Sequence, residues 1–284
     1  MQVERARQQG LCFGVRRALS MLRDAASHSD RIETLGPIAH NRILMRELEQ
    51  MGIVTVSSLS ELSGPTVVIS AHGISPDAAS TLRDKGFHLV DTTCPIVAKA
   101  HAIAAQLAHE GFTIVIFGDS AHTEVRGLLG WAGGSAVAST DGASLLESGQ
   151  LADAEKIAVI AQTTQPADAF ADFAASLCDT LSSTVNVKEL RVVNTLCHAT
   201  RKRLESAREL AGRVDLMLVV GGKNSANTQR LAEACSTIVE TFHIECADEL
   251  QKPWFKDKSR VGVTAGASTP DSSIEEVERR VSDL

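Results

Sequence analysis

The sequence contains no tyrosine, and aromatic residues of all kinds make up only 4% of it. So few flat rings argue against a base-stacking surface for single-stranded nucleic acid. Nor is charge of one sign concentrated: the net charge of -7 is spread over 284 residues without a long acidic or basic run. No nucleic-acid partner is therefore expected. No stretch approaches the roughly 18 successive apolar residues of a membrane-spanning helix, and the opening MQVERARQQG lacks the apolar core of a secretory leader. A cytoplasmic protein with no membrane partner is the expectation. Two further motifs are missing. No G-x-G-x-x-G opens a helix after a strand, which excludes the usual nicotinamide and flavin fingerprint. No C-x2-C pair occurs, although structural zinc sites commonly use one.

What is present is enough apolar residue, 44%, for a packed core. Val- and Ile-rich runs such as TVVISAHG, HLVDTTCP and TIVIFGD alternate with Ala-, Leu- and Glu-rich stretches such as IVAKAHAIAAQLAHEG. That alternation predicts an α/β fold with mostly parallel sheets. Six times an apolar run stops at a small or polar cluster: Thr34 to Asn41, Ile69 to Gly73, Phe117 to Glu124, Ile160 to Thr164, Val220 to Asn227, and Val263 to Ser268. Ligands of open α/β sheets bind beyond the carboxyl ends of strands, so these are six candidate site loops, two in each third of the chain. Small polar residues end strands in α/β proteins generally, so the spacing alone does not decide for a repeat.

Cysteine keeps the same rhythm. Cys12, Cys94 and Cys197 are 82 and 103 residues apart, and each is expected at the start of a helix, where unpaired amides and the helix dipole favour a thiolate. Three similar lobes, each with a thiol and two polar loops, is the reading. Cys178 and Cys235 fall on apolar helical stripes and Cys246 ends a short apolar segment, so packing is the better use for all three. In a reducing compartment the first three thiols suit metal or catalysis better than disulfides. Zinc with a histidine would be one occupant; a [4Fe-4S] cluster, which tolerates distant ligands, is another. With three protein ligands one iron stays open to polarise a substrate oxygen.

The stretches GLCFGVRRAL, GPIAHNR, SAHGISP, DTTCPIVAKAH, GDSAHTEVRG, AQTT, LCHATRKR, GGKNSANTQRLAE and GVTAGASTPD resemble, in order and spacing, the 4-hydroxy-3-methylbut-2-enyl diphosphate reductase (LytB) family. The resemblance covers more than 250 residues. It implies a trefoil of three similar α/β lobes around one [4Fe-4S] cluster held by Cys12, Cys94 and Cys197. The lobes are expected at residues 13–95, 96–193 and 194–284, the last joined by residues 1–12. It also implies a diphosphate pocket of His40, His72, His122, Ser225, Asn227 and Ser268, with Thr163 bonding the substrate's oxygen and Glu124 as the acid. A single histidine at a strand end more often serves structure; three at equivalent ends suit an anion. For Glu124 the alternative is a surface carboxylate paired with Arg126.

The implied activity is reductive dehydroxylation of (E)-4-hydroxy-3-methylbut-2-enyl diphosphate to isopentenyl and dimethylallyl diphosphate, the last step of the non-mevalonate route. Its electrons would come from a flavodoxin or ferredoxin. Three positions depart from the family pattern: Thr123 where proline is common, Ala226 where serine is usual, and Leu204 where glutamine is typical. Two other classes compete. A cluster protein that only carries electrons would have no use for the histidines, Thr163 and Glu124, and a cysteine hydrolase would leave two of the three thiols unexplained.

Overall fold

The computed structural model describes residues 1–29, 31–182 and 186–283. Its strands begin with β1 (Gln2–Arg5), β2 (Ile32–Leu35), β3 (Ile53–Val56), β4 (Thr66–Ile69), β5 (His88–Asp91) and β6 (Thr113–Phe117). They continue with β7 (Ala136–Ser139), β8 (Lys156–Ala161), β9 (Glu189–Val192), β10 (Leu216–Val220), β11 (Thr241–Ile244) and β12 (Arg260–Ala265). Helices alternate with them: α1 (Phe13–Ala26), α2 (Arg42–Gln50), α3 (Pro76–Asp84), α4 (Pro95–His109) and α5 (Thr123–Trp131). The rest are α6 (Gly142–Glu147), α7 (Ala167–Leu181), α8 (His198–Ala211), α9 (Ala226–Ser236) and α10 (Asp271–Ser282).

The strands form three four-stranded sheets, in the orders β1-β12-β10-β11, β3-β2-β4-β5 and β7-β6-β8-β9. This is the three-lobed α/β class expected from the alternating sequence, and the described pairings of β1, β10, β11 and β12, of β4 and β5, and of β6 to β9 are all parallel. Parallel pairing demands a crossover between neighbours, which the intervening helices supply. By compactness the chain divides into two units, Met1–Thr55 with His198–Leu284, and Val56–Cys197.

In the first unit β1 lies beside β12, in register from Gln2 opposite Arg260 to Arg5 opposite Val263. The N-terminal strand thereby completes the sheet made by the C-terminal third. The run Leu216-Met217-Leu218-Val219-Val220 reads as continuously apolar because both faces of β10 are buried. Leu216, Leu218 and Val220 face Val261, Val263, Ile274 and Val277 on one side; Met217 and Val219 face Leu210, Leu231 and Cys235 on the other. The second unit repeats the plan. Ile114 and Ile116 pack with Ala104, Leu107 and Leu128, while Val115 and Phe117 meet Phe170, Phe173 and Leu177. Cys235 is fully buried, as a packing role requires, whereas Cys178 and Cys246 are half-buried. Ile238, which shares the helical spacing of Cys235, turns outward and is 45% exposed, because α9 ends before it.

All six polar clusters of the sequence lie at the carboxyl ends of β2, β4, β6, β8, β10 and β12, the two central strands of each sheet. The three thiols follow the edge strands β1, β5 and β9. Among the described residues no helix is long and apolar enough to cross a membrane.

Candidate active site

Each thiol loop is anchored in the same way. The backbone N–H of Cys12 donates to Ala267 O at 2.9 Å, that of Cys94 to Ala71 O at 3.0 Å, and that of Cys197 to Thr163 O at 2.7 Å. Each acceptor lies two residues beyond the end of a central strand. Each cysteine also immediately precedes a helix, α1, α4 or α8. Cys12 caps α1 directly, its Sγ accepting from the Val15 N–H at 3.5 Å. Pro95, whose missing N–H is no loss in a first turn, starts the helix after Cys94. All three thiols are half-buried and outside any disulfide. Soft thiolate donors at three equivalent loops suit a thiolate-held iron–sulfur cofactor.

The first unit carries Cys12, His40, Ser225, Asn227 and Ser268. His40 lies between β2 and α2, and burial holds its imidazole below the ordinary histidine value, hence neutral. Its carbonyl rests on Gly222, where an added Cβ would meet it at 2.5 Å, and Ser268 Oγ donates to it at 3.4 Å. Ser225 caps α9, its Oγ accepting from the Thr228 N–H at 3.4 Å, so the hydroxyl proton remains available to a ligand. The Asn227 amide nitrogen is buried without a hydrogen-bond partner, a cost that a bound anion would remove. The loop that precedes Ser225 is held from β11, where His243 Nε2 meets Gly221 O at 2.9 Å, and from the residue after it, Glu245, whose carboxylate accepts from the Lys223 N–H at 2.8 Å.

His72, Cys94, His122, Glu124, Thr163 and Cys197 belong to the second unit. His72 and His122 meet edge to face with ring centroids 5.5 Å apart. His122 caps α5 by accepting from the Glu124 N–H at Nδ1, 3.1 Å away. A neutral His122 therefore carries its proton on Nε2, pointed away from the helix it caps. Glu124 is only 1% exposed, while Arg126 is exposed, which removes the surface-pair alternative. Burial raises the Glu124 carboxyl to about 7, against the opposing pull of hydrogen bonds from Thr163. One of those bonds is the Thr163 N–H to Glu124 Oε1, 2.6 Å long. Because Thr163 O in turn holds Cys197, one buried residue links the acid to a thiol loop.

Sequence reasoning passed over His101. It is buried on α4, and burial lowers its pKa to about 4. Its ring stacks on Trp131 with centroids 5.5 Å apart. An added Cβ on Gly73, beside His72, would meet it at 2.5 Å, and one on Gly127 of α5 at 3.1 Å. The imidazole thus seats the His72 loop and α5 on the helix that follows Cys94, and glycines at 73 and 127 were the only trace of this in the sequence. The departures from the family pattern are also accounted for in part. Leu204 packs against the core around Met217 and Leu231, and Ala226 is an exposed residue at the start of α9. Nothing in the structure explains Thr123.

Three equivalent thiol loops and a carboxyl that burial pushes up to about 7 suit an α/β redox enzyme. The comparisons agree on which. The sequence pattern of the family described as LytB protein matches residues 3–282. A 4-hydroxy-3-methylbut-2-enyl diphosphate reductase of Dehalococcoides mccartyi strain CBDB1 is 45% identical over 277 residues, spanning 98% of this chain and 96% of that one. One from Geobacter sulfurreducens is 40% identical, spanning 100% and 98%. A solved (E)-4-hydroxy-3-methyl-but-2-enyl diphosphate reductase, described as the terminal enzyme of the non-mevalonate pathway, superimposes with a TM-score of 0.77 at 38% identity and full coverage of both chains. The chain belongs to the LytB family, and so is an oxidoreductase of the iron–sulfur type.

Proposed function

We propose that this chain converts (E)-4-hydroxy-3-methylbut-2-enyl diphosphate to isopentenyl and dimethylallyl diphosphate. Two electrons and two protons enter, the allylic C–O bond breaks, water leaves, and a C–H bond forms at either end of the allyl fragment. Cys12, Cys94 and Cys197 would hold a [4Fe-4S] cluster, one from the loop after the edge strand of each sheet. When bound, that group supplies the electrons and a Lewis-acidic iron for the substrate's hydroxyl oxygen.

The remaining work falls to side chains. His40, His72, His122, Ser225, Asn227 and Ser268 take the diphosphate, with imidazoles and hydroxyls donating to its oxygens and the amides at the start of α9 adding to them. Holding the charged end fixes the hydroxyl end for reaction. Glu124, raised by burial to about 7, is partly protonated at neutral pH and gives its proton to the departing hydroxyl. Thr163 hydrogen-bonds that oxygen. The second proton comes from the substrate's own diphosphate. Lobes at 13–95, 96–193 and 194–284 with 1–12 are the proposed functional division, and the protein is assigned to the cytoplasm, where its thiols stay reduced. Electrons arrive from a flavodoxin or ferredoxin, since the sequence carries no flavin or nicotinamide motif.

The observation that carries this reading is the chain Glu124, Thr163, Cys197: an acid tuned near neutrality and tied through one buried residue to a thiol loop. The test is Glu124→Gln, assayed anaerobically with substrate and a chemical reductant. The variant is expected to bind substrate as the wild type does and to lose turnover by a factor on the order of 10²–10⁴. Wild-type turnover in Glu124→Gln would remove this residue from the proton path.

A further inference from the structure

Two of the three thiol loops carry a hydroxyl that the third lacks, and the difference singles out a residue that the mechanism above leaves unused. Two residues before each thiol stand Thr92, Thr195 and Gly10. Thr92 Oγ1 donates to Ile69 O at 2.6 Å, and Thr195 Oγ1 to Ala161 O at 2.5 Å. Each hydroxyl ties its loop to the last carbonyl of the adjoining central strand. Gly10 has no hydroxyl, and its N–H reaches the corresponding carbonyl, Ala265 O, only at 3.3 Å. A threonine would be strained there. Gly10 has a φ of +68°, and a Cβ would come within 3.1 Å of both Asp271 Oδ1 and Ile274 Cδ1.

The clamp comes from α8 instead. Arg203 Nη2 donates to Gly10 O at 2.8 Å, and Arg203 is only 4% exposed. A guanidinium keeps its charge in such a place, because it does not deprotonate in proteins. We propose that Arg203 is the positioning residue of the Cys12 loop, replacing the missing threonine, and that its fixed positive charge beside this loop raises the reduction potential of the cluster. The inference rests on the cluster reading of the preceding subsection. Three thiolates make the site negative, each electron added makes it more so, and a fixed cation in a poorly screened interior favours the more negative state. Neither threonine clamp brings charge. Arg16 also reaches this loop, donating from Nε to Leu11 O at 3.0 Å, but it is exposed and paired with Asp271, so Arg203 is the buried cation that combines the two effects.

The experiment compares reconstituted wild type, Arg203→Met, Arg203→Lys and Thr92→Val by iron content, midpoint potential from redox titration followed by electron paramagnetic resonance, and rate of iron loss to a chelator. Arg203→Met is expected to lower the one-electron reduction equilibrium by about tenfold, about 59 mV, and to lose iron about tenfold faster. Arg203→Lys should hold a midpoint near that of the wild type yet lose iron faster, since the charge stays while the fork aimed at Gly10 O is gone. Thr92→Val should hasten iron loss and leave the midpoint in place. Wild-type midpoint and iron loss in Arg203→Met overturn the proposal. If Arg203→Met does not fold, a wild-type rate of iron loss in Arg203→Lys overturns the clamp. A midpoint shift in Thr92→Val equal to that in Arg203→Met overturns the charge effect. Wild-type protein that takes up no iron refutes the cluster reading itself, a result distinct from all of these.

Discussion

At the scale of single residues the decisive fact is how far burial moves Glu124. Burial pushes its carboxyl up to about 7 in the folded chain from an ordinary value of 4.5, so between these limits the folded state holds a proton that the unfolded state has released. Folding stability from this group therefore falls as pH rises through that window and is intact below it. Glu124→Gln keeps an oxygen for the Thr163 N–H and abolishes the ionisation. In cluster-free protein it is expected to exceed the wild type by up to roughly 3 kcal/mol at pH 8 and to match it at pH 4, as measured by urea unfolding. A difference that does not change with pH would contradict the assigned shift. The sequence placed Glu124 beside His122 but could not give its burial, because burial depends on Thr163, 39 residues away.

At the scale of elements, α5 shows one residue serving two ends. His122 holds the first turn of this helix through Nδ1, and its proposed second task is to bind the diphosphate through Nε2. His122→Ala is expected to cost about 1 kcal/mol of stability through loss of the cap and to raise KM for the diphosphate substrate. His122→Asn, a good capping residue, should restore the stability and leave KM high. Recovery of both by asparagine would confine His122 to structure. The strand ends were legible in the sequence because strands buried on both faces are continuously apolar, so their stopping points stand out at Ile69, Phe117 and Val220. The helix starts were legible too, from Cys94-Pro95 and the run after Cys12. What could not be read were contacts made across elements. His101 fits against Gly73 and Gly127, and Arg203 reaches Gly10, 193 residues away; neither leaves a periodic signal.

For the whole molecule, the three sheets repeat one plan: two central strands end in polar loops, and an edge strand leads through a thiol into a helix. The N-terminal strand β1 is part of that plan, since it stands beside β12 as β5 stands beside β4 and β9 beside β8. The repeat was visible in the cysteine spacing of 82 and 103 residues, but not its regularity in hydrogen bonds, which involves backbone atoms and is indifferent to side-chain identity.

The most direct test combines anaerobic purification or reconstitution, iron and sulfide analysis, and consumption of (E)-4-hydroxy-3-methylbut-2-enyl diphosphate under a chemical reductant. The expected result is a coloured iron–sulfur protein that turns the substrate into isopentenyl and dimethylallyl diphosphate, with colour and turnover both lost on replacing Cys12, Cys94 or Cys197 by serine. A protein that stays colourless and inert after reconstitution, or one that keeps its turnover without those thiols, would contradict it.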